Sequence, residues 1–300
     1  MAIFEVKIND SYSLKGNDYL VKNPISHLLI ITGMQEHSSR YEALAKELNK
    51  ENISVSVLDH FGQGENAISV EDQQKWPVDA WKMTLQALNN KVNELRKDNK
   101  PVYLMGHSMG SFATQAYIET YPNTVDKVII MSSNGKNNNF SIQLGYKIAK
   151  LITNKKNWDK EGKLMGKLSL GAYSRSVKNR KSDIDWLTYN EENVKAYAAD
   201  PYCGHYNTNG FYREFMKGMA QLYKKKSLNN ISKNEKILIV AGDSDPVGAN
   251  AKGPKSLLDM YTKLGLKEVE LIVYPHMRHE ILNEDKKEDV YNDIKNFLLK

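Results

Sequence analysis

Gly106-His107-Ser108-Met109-Gly110 sets a serine between two glycines, each two residues away. The four residues before it, Val102-Tyr103-Leu104-Met105, form an apolar run, and residues 109–121 after it read as a helix stopped by Pro122. A serine on such a strand-to-helix turn is held in a strained conformation with its hydroxyl clear of the sheet. The flanking glycines remove side chains that would collide in so tight a turn. The helix that follows begins with unpaired N–H groups, so the Met109 N–H can donate to an oxyanion. The chemistry is nucleophilic attack on a carbonyl, and it needs a base and an acid that orients the base. Gly242-Asp243-Ser244-Asp245 follows the apolar run 237–241, and His276-Met277-Arg278-His279 follows the run 271–274. Both lie just past the C-terminal end of a buried strand, where a parallel sheet gathers its active site. The residues alone leave the acid open between Asp243 and Asp245, and the base between His276 and His279. A metal pair of the two histidines would lack further ligands.

The elements that must position these groups alternate along the chain. Residues 2–8 and 18–21 read as short strands joined by a turn at Lys15-Gly16-Asn17. Residues 27–32, 53–58, 102–105, 125–131, 236–241 and 269–274 read as further strands, most of them continuously apolar. Helical spacing covers 41–50, 78–97, 109–121, 251–264 and 284–299. Strands alternating with helices predict a mostly parallel central sheet flanked by helices on both faces. Residues 135–231 interrupt the alternation and are rich in Lys, Asn and Tyr. They read as a helical cap inserted after the sixth strand, which leaves 1–134 and 232–300 as the core. Within the cap, Phe140, Leu144, Ile148, Leu151 and Trp158 read as helix core. Aromatic residues among Trp158, Tyr173, Trp186, Tyr206 and Phe211 are expected to line the entrance.

Three further segments join the serine turn in one pattern: Gly33-Met34-Gln35-Glu36-His37-Ser38-Ser39-Arg40-Tyr41, Asp59-His60-Phe61-Gly62-Gln63-Gly64, and Tyr274-Pro275 with Arg278-His279-Glu280 and Asn283-Glu284. Together they resemble the serine aminopeptidase S33, or hydrolase 4, family of α/β-hydrolases, in its monoacylglycerol lipase and lysophospholipase branch. The resemblance covers the core on both sides of the insertion. In the cap it is confined chiefly to Asp200-Pro201-Tyr202-Cys203-Gly204 and Gly210-Phe211-Tyr212-Arg213. It implies the α/β-hydrolase fold, and it implies Asp245 as the acid, three residues after the glycine that ends the strand. Asp243 is then a turn or capping residue. It also implies His279, which precedes a glutamate, as the base, and the Met34 N–H as a second oxyanion donor beside Met109. Glu36 and His37 then hold the oxyanion loop by hydrogen bonds, and His60 braces a neighbouring loop. His107 and Asp59 are structural. The chain departs from the family at Thr32 and Gln63, where the family usually or often has histidine.

The implied activity is hydrolysis of a small-molecule ester or lipid: a monoacylglycerol, a lysophospholipid or a similar single-chain ester. Peptidase, thioesterase and acyltransferase chemistry use the same groups, and a non-catalytic binding protein of the same fold is a third class. The mechanism calls for no metal and no organic cofactor. Composition adds further expectations. The net charge is +6, yet residues 133–231 carry 18 Lys and Arg against 8 Asp and Glu, which leaves the rest of the chain at −4. No nucleic-acid motif accompanies that excess, so no nucleic-acid partner is expected. A solvated basic surface, an anionic substrate, or contact of the basic cap with an anionic lipid surface are the readings of it. No stretch is long and apolar enough to span a membrane, and the N-terminus does not read as a signal peptide. Cys203 is the one cysteine, read as a small buried apolar residue. Its isolation excludes an intrachain disulfide and fits a cytoplasmic location.

Overall fold

The computed structural model describes residues 1–135 and 139–300, with side chains described outside 136–141. Eight strands form one sheet: β1 (Ala2–Lys7), β2 (Ser13–Tyr19), β3 (Ser26–Ile31), β4 (Ile53–Leu58), β5 (Val102–His107), β6 (Lys127–Met131), β7 (Lys236–Gly242) and β8 (Glu268–Tyr274). Their order is β1-β2-β4-β3-β5-β6-β7-β8. β2 pairs antiparallel with β1 and β4, and all other pairings are parallel. This is the mostly parallel sheet predicted from the alternation.

Helices cover both faces because the strands are apolar on both. In β3, Leu29 and Ile31 enter one core with Trp81, Leu85, Leu88 and Val92 of α2 (Ala80–Leu95) and Phe112, Ala116 and Tyr117 of α3 (Met109–Thr120). Leu28 and Ile30 enter the opposite core with Leu44 and Leu48 of α1 (Glu42–Asn49) and Val290, Ile294 and Leu298 of α11 (Lys287–Leu299). The period-2 alternation of side chains along a strand accounts for the division. Between β6 and β7 the described chain runs through α4 (Asn139–Ile152), α5 (Lys163–Leu168), α6 (Leu170–Ser176), α7 (Glu191–Ala199), α8 (Asn209–Met219) and α9 (Lys225–Asn230). α10 (Lys252–Lys263) follows β7.

Three expectations need correction. Lys15-Gly16-Asn17 is not a turn but the middle of β2, and the chain reverses instead at residues 8–12. There the Asn9 side chain accepts from the Ser11 and Tyr12 N–H groups. Gly16 marks close backbone approach, since a Cβ there would overlap the Val57 carbonyl oxygen of β4. Leu144 and Leu151 are exposed rather than core, at 46% and 86%, because they lie on the outward side of α4. Phe140 lies outside the described side chains. Trp158 is anchored elsewhere, its Nε1–H donating to the Trp76 carbonyl at 2.6 Å.

Candidate active site

β5 ends at His107 and α3 begins at Met109, so Ser108 is the whole of the connection. Its backbone sits at φ 52°, ψ −116°, a strained region for a residue with a Cβ. Its N–H donates to the Met131 carbonyl of β6 at 3.0 Å. A Cβ on Gly106 would overlap the Gly110 carbonyl, and one on Gly110 would overlap the Ile31 carbonyl of β3. The two glycines therefore let α3 start directly against the sheet.

The loops after β7 and β8 bring the other groups to that point. His279 Nε2 lies 2.7 Å from Ser108 Oγ, and His279 Nδ1 lies 3.0 Å from Asp245 Oδ2. Asp245 is wholly buried, and its second oxygen accepts from the Val247 N–H at 2.8 Å. That bond and the contact with His279 leave the carboxylate little rotational freedom. Trp186 packs on the imidazole, with ring centroids 5.1 Å apart. An imidazole between a hydroxyl and a buried carboxylate can take the hydroxyl proton while the carboxylate fixes its tautomer.

Asp243 and His276, the alternatives the residues alone left open, have other partners. Asp243 is exposed, and its carboxylate accepts from the His276 N–H at 3.0 Å and from the Ser244 hydroxyl. His276 stacks on Tyr189, with centroids 4.1 Å apart, away from Ser108.

Met34 and Met109 both line the cavity above Ser108. Met109 is the first residue of α3, where helix geometry leaves an N–H without an intrahelical acceptor. The Met34 loop is held from below by Glu36, whose Oε1 accepts from the Gly33 N–H and, at 2.7 Å, from the Tyr41 hydroxyl. The same oxygen lies 2.8 Å from His107 Nδ1. Burial pushes the Glu36 carboxyl up, but His107, Arg40 and Tyr41 outweigh it and hold it down at about 2. His107 shows the converse: burial disfavours its charge, and Glu36 raises it above the ordinary imidazole value. Its other nitrogen faces the His279 carbonyl at 3.3 Å. The pair thus ties the Met34 loop, the Ser108 turn and the His279 loop together.

Gln63 stands where the family often has histidine, and it does loop-bracing work. Its Nε2 donates to the Gly33 and Glu36 carbonyls at 2.8 and 3.0 Å. His60 donates from Nε2 to the Thr32 carbonyl at 3.0 Å, and burial holds it near a pKa of about 4, hence neutral. Asp59 accepts from the Ser38 N–H and hydroxyl. His37 contacts Asp200 at 2.8 Å, which fastens the loop to the helical segment.

The cavity holds about 350 Å³ and is walled mainly by Phe112, Ile142, Met165, Phe215, Met216 and Met219. Of the expected aromatics, Trp186 and Tyr173 line it, Tyr206 lines a neighbouring cavity, and Phe211 is buried in the core. Tyr197, Tyr212 and Phe215 line it without having been anticipated. Their helical spacing matches that of core residues, so no sequence signal separates the two roles. Arg40 pairs with the buried Glu280, and Asn193 of α7 donates to the same carboxylate at 2.7 Å. This network was equally invisible in the sequence, because its members are 240 and 87 positions apart.

A family model described as serine aminopeptidase, S33, matches residues 22–286. A monoacylglycerol lipase of Mycolicibacterium smegmatis is 23% identical over 280 residues, 92% of this chain and 89% of the relative. The phospholipase YtpA of Bacillus subtilis is 22% identical over 280 residues, 91% of this chain and 95% of the relative. Among solved structures, a thermostable carboxyl esterase from Bacillus coagulans superposes with a TM-score of 0.88 at 22% identity, covering 99% of this chain and 98% of its own. A soluble variant of the Saccharomyces cerevisiae monoglyceride lipase gives 0.73 at 19%, covering 99% and 94%. The architecture is that of the α/β-hydrolases.

Proposed function

Because the chain belongs to the serine aminopeptidase S33 family, we propose that it hydrolyses a single-chain carboxylic ester through Ser108, His279 and Asp245. Carboxylic ester hydrolysis is the activity its lipase, phospholipase and esterase relatives support. The observation that carries the residue assignment is the continuous hydrogen-bonded line from Ser108 Oγ through His279 to Asp245, at 2.7 and 3.0 Å, at the floor of an apolar cavity.

In this reading Ser108 Oγ attacks the ester carbonyl while His279 Nε2 takes its proton. Asp245 stabilises the resulting imidazolium. The carbonyl oxygen becomes an oxyanion held by the Met34 and Met109 N–H groups. The imidazolium then protonates the leaving alcohol, and an acyl-Ser108 ester remains. Water, deprotonated by His279, attacks that ester and releases the acid and free serine. Phe112, Phe215, Met216 and Met219 suit an acyl chain, and a cavity of about 350 Å³ lies in the range usual for small-molecule sites. The described helices of the insertion, α4 to α9, act as a cap over the site. Leu164 and Leu168 of α5 and Leu151 of α4 are exposed among lysines, which suits contact with an anionic lipid surface.

The test is hydrolysis of p-nitrophenyl esters from acetate to palmitate by wild type and Ser108→Ala. We expect turnover that vanishes in the variant and is fastest with a medium or long chain. No turnover at any length by the wild type, or turnover retained by the variant, overturns the proposal.

A further inference from the structure

A second cavity, of about 740 Å³, opens beside the first. The two share Gln35, Leu170, Trp186, Leu187, Tyr197 and Tyr212, so only one layer of side chains separates them. Their chemistry differs. The first is walled mainly by hydrocarbon. The second carries Lys163, Lys167, Arg175 and Arg180 on its rim against Glu161 and Asp183. Glu161 lies 3.7 Å from Lys163, and Asp183 lies 3.7 Å from Arg180. That leaves two cations over. Among the described residues, neither Lys167 nor Arg175 is in an ion pair. The Arg175 guanidinium is nonetheless placed, because its Nη2 donates to the Lys167 carbonyl at 3.2 Å. Gly171 beneath it has no side chain, and a Cβ there would come within 3.1 Å of Arg175 Nη1.

We infer that this second cavity receives the head group of the substrate, and that the head group carries a phosphate. The inference rests on the ester-hydrolase reading and specifies the alcohol side of the ester. An ester bound at Ser108 with its acyl chain among Phe112, Phe215 and Met219 must send its alcohol the other way. The way out passes Gln35 of the oxyanion loop and Trp186, which packs on His279. Beyond them lie two unmatched cations, one a guanidinium whose fork fits phosphate oxygens in pairs. A neutral glycerol gains nothing from Lys167 and Arg175, whereas a glycerol phosphate satisfies both. The excess positive charge of residues 133–231 raises the local concentration of such an anion.

The experiment compares kcat/KM for a 1-acyl-glycerol 3-phosphate and the monoacylglycerol with the same short chain. Both are held below their micelle-forming concentrations, so that no lipid surface is present. Wild type, Lys167→Gln/Arg175→Gln and the charge-retaining Lys167→Arg/Arg175→Lys are measured side by side. The wild type is expected to prefer the phosphate ester. That preference falls about tenfold or more in the Gln variant, as expected for losing charged hydrogen-bond donors. It is largely kept in the charge-retaining variant, and it shrinks in the wild type as added salt screens the rim. A wild-type preference for the neutral ester, or a preference the Gln variant leaves unchanged, overturns the inference while ester hydrolysis stands. Selectivity that appears only on anionic vesicles also overturns it and assigns the two cations to surface contact. Failure to hydrolyse either ester, together with failure on p-nitrophenyl esters, removes the ester-hydrolase reading itself.

Discussion

Replacing Glu36 by Gln should damage this protein more than its absence from the reacting groups suggests. The residue is 4% exposed, and its carboxylate serves the Gly33 N–H, the Tyr41 hydroxyl and His107 from one oxygen, with Arg40 Nε 3.9 Å from the other. Removing one member of a buried ion pair costs about 3–5 kcal/mol. Gln keeps the shape and one acceptor, and Arg40 keeps Glu280, so we take the lower end, about 3 kcal/mol. An unfolding entropy of about 2.1 cal/mol/K per residue, over 300 residues, is roughly 0.6 kcal/mol/K. The expected drop in Tm near pH 7 is therefore about 5 °C. The pH dependence should also change. In the wild type the Glu36 pKa is held down at about 2, so its contribution is present above the ordinary carboxylate value and is lost only as pH falls toward about 2. In Glu36→Gln the main group that raises His107 is gone, and burial, the largest influence on the imidazole, pulls its pKa down against only Glu280 and the His279 carbonyl. A depressed pKa makes the fold prefer the neutral ring, so the variant loses stability as pH falls below about 6.5. Differential scanning fluorimetry from pH 8 to pH 5 measures both effects. A Tm within about 1 °C of wild type at pH 7, with parallel curves down to pH 5, would refute the reasoning.

Other consequences are open to simple assays. Asp245→Asn should lower kcat by about 10⁴-fold with little change in KM, because an amide favours the wrong imidazole tautomer; a loss under tenfold on a p-nitrophenyl ester would count against the assignment. Glu119 is buried with its carboxyl pushed up to about 8, mainly by desolvation and against the pull of the Tyr223 N–H. The fold thus prefers the neutral acid, and its stability falls as pH rises from about 4.5 through about 8. Glu119→Gln should flatten the Tm profile over that window and be the more stable protein at pH 9; an unchanged profile would contradict the linkage. Cys203 is buried, and burial raises its thiol well above the ordinary value. It should react with a thiol reagent at pH 8 only after unfolding, so a native rate equal to that of free cysteine would show that its site opens readily.

The sequence by itself determined the frame and marked the candidate reacting groups. Six parallel strands are legible because β3 to β8 are mostly apolar runs bounded by turn residues, a pattern set by chain neighbours alone; β8, expected to be buried, is instead the half-exposed edge of the sheet. Candidate groups at Ser108, Asp243 or Asp245, and His276 or His279 are legible because each follows an apolar run at a strand's C-terminal end; local sequence left the last two pairs open, and the family resemblance chose Asp245 and His279. Gly16 shows where that logic stops. A glycine is as consistent with a turn as with close packing, and only the approach of Val57 in β4 decides between them. The same holds for Gln63, whose amide braces the loop of residues 33–36 through partners about 30 positions away. It holds for the Glu36–His107 pair as well, 71 positions apart in the chain and 2.8 Å apart in space. Which aromatics face the cavity and which face the core, as Phe215 and Phe211 do respectively, was beyond the pattern. A helix buried on two sides shows one apolar face to each, and helical spacing does not distinguish them. The second cavity and its unmatched cations exist only where α5, α6 and the loops around α7 meet. Tertiary structure alone decided that, around this cavity, Lys163 and Arg180 pair with Glu161 and Asp183 while Lys167 and Arg175 are in no ion pair among the described residues.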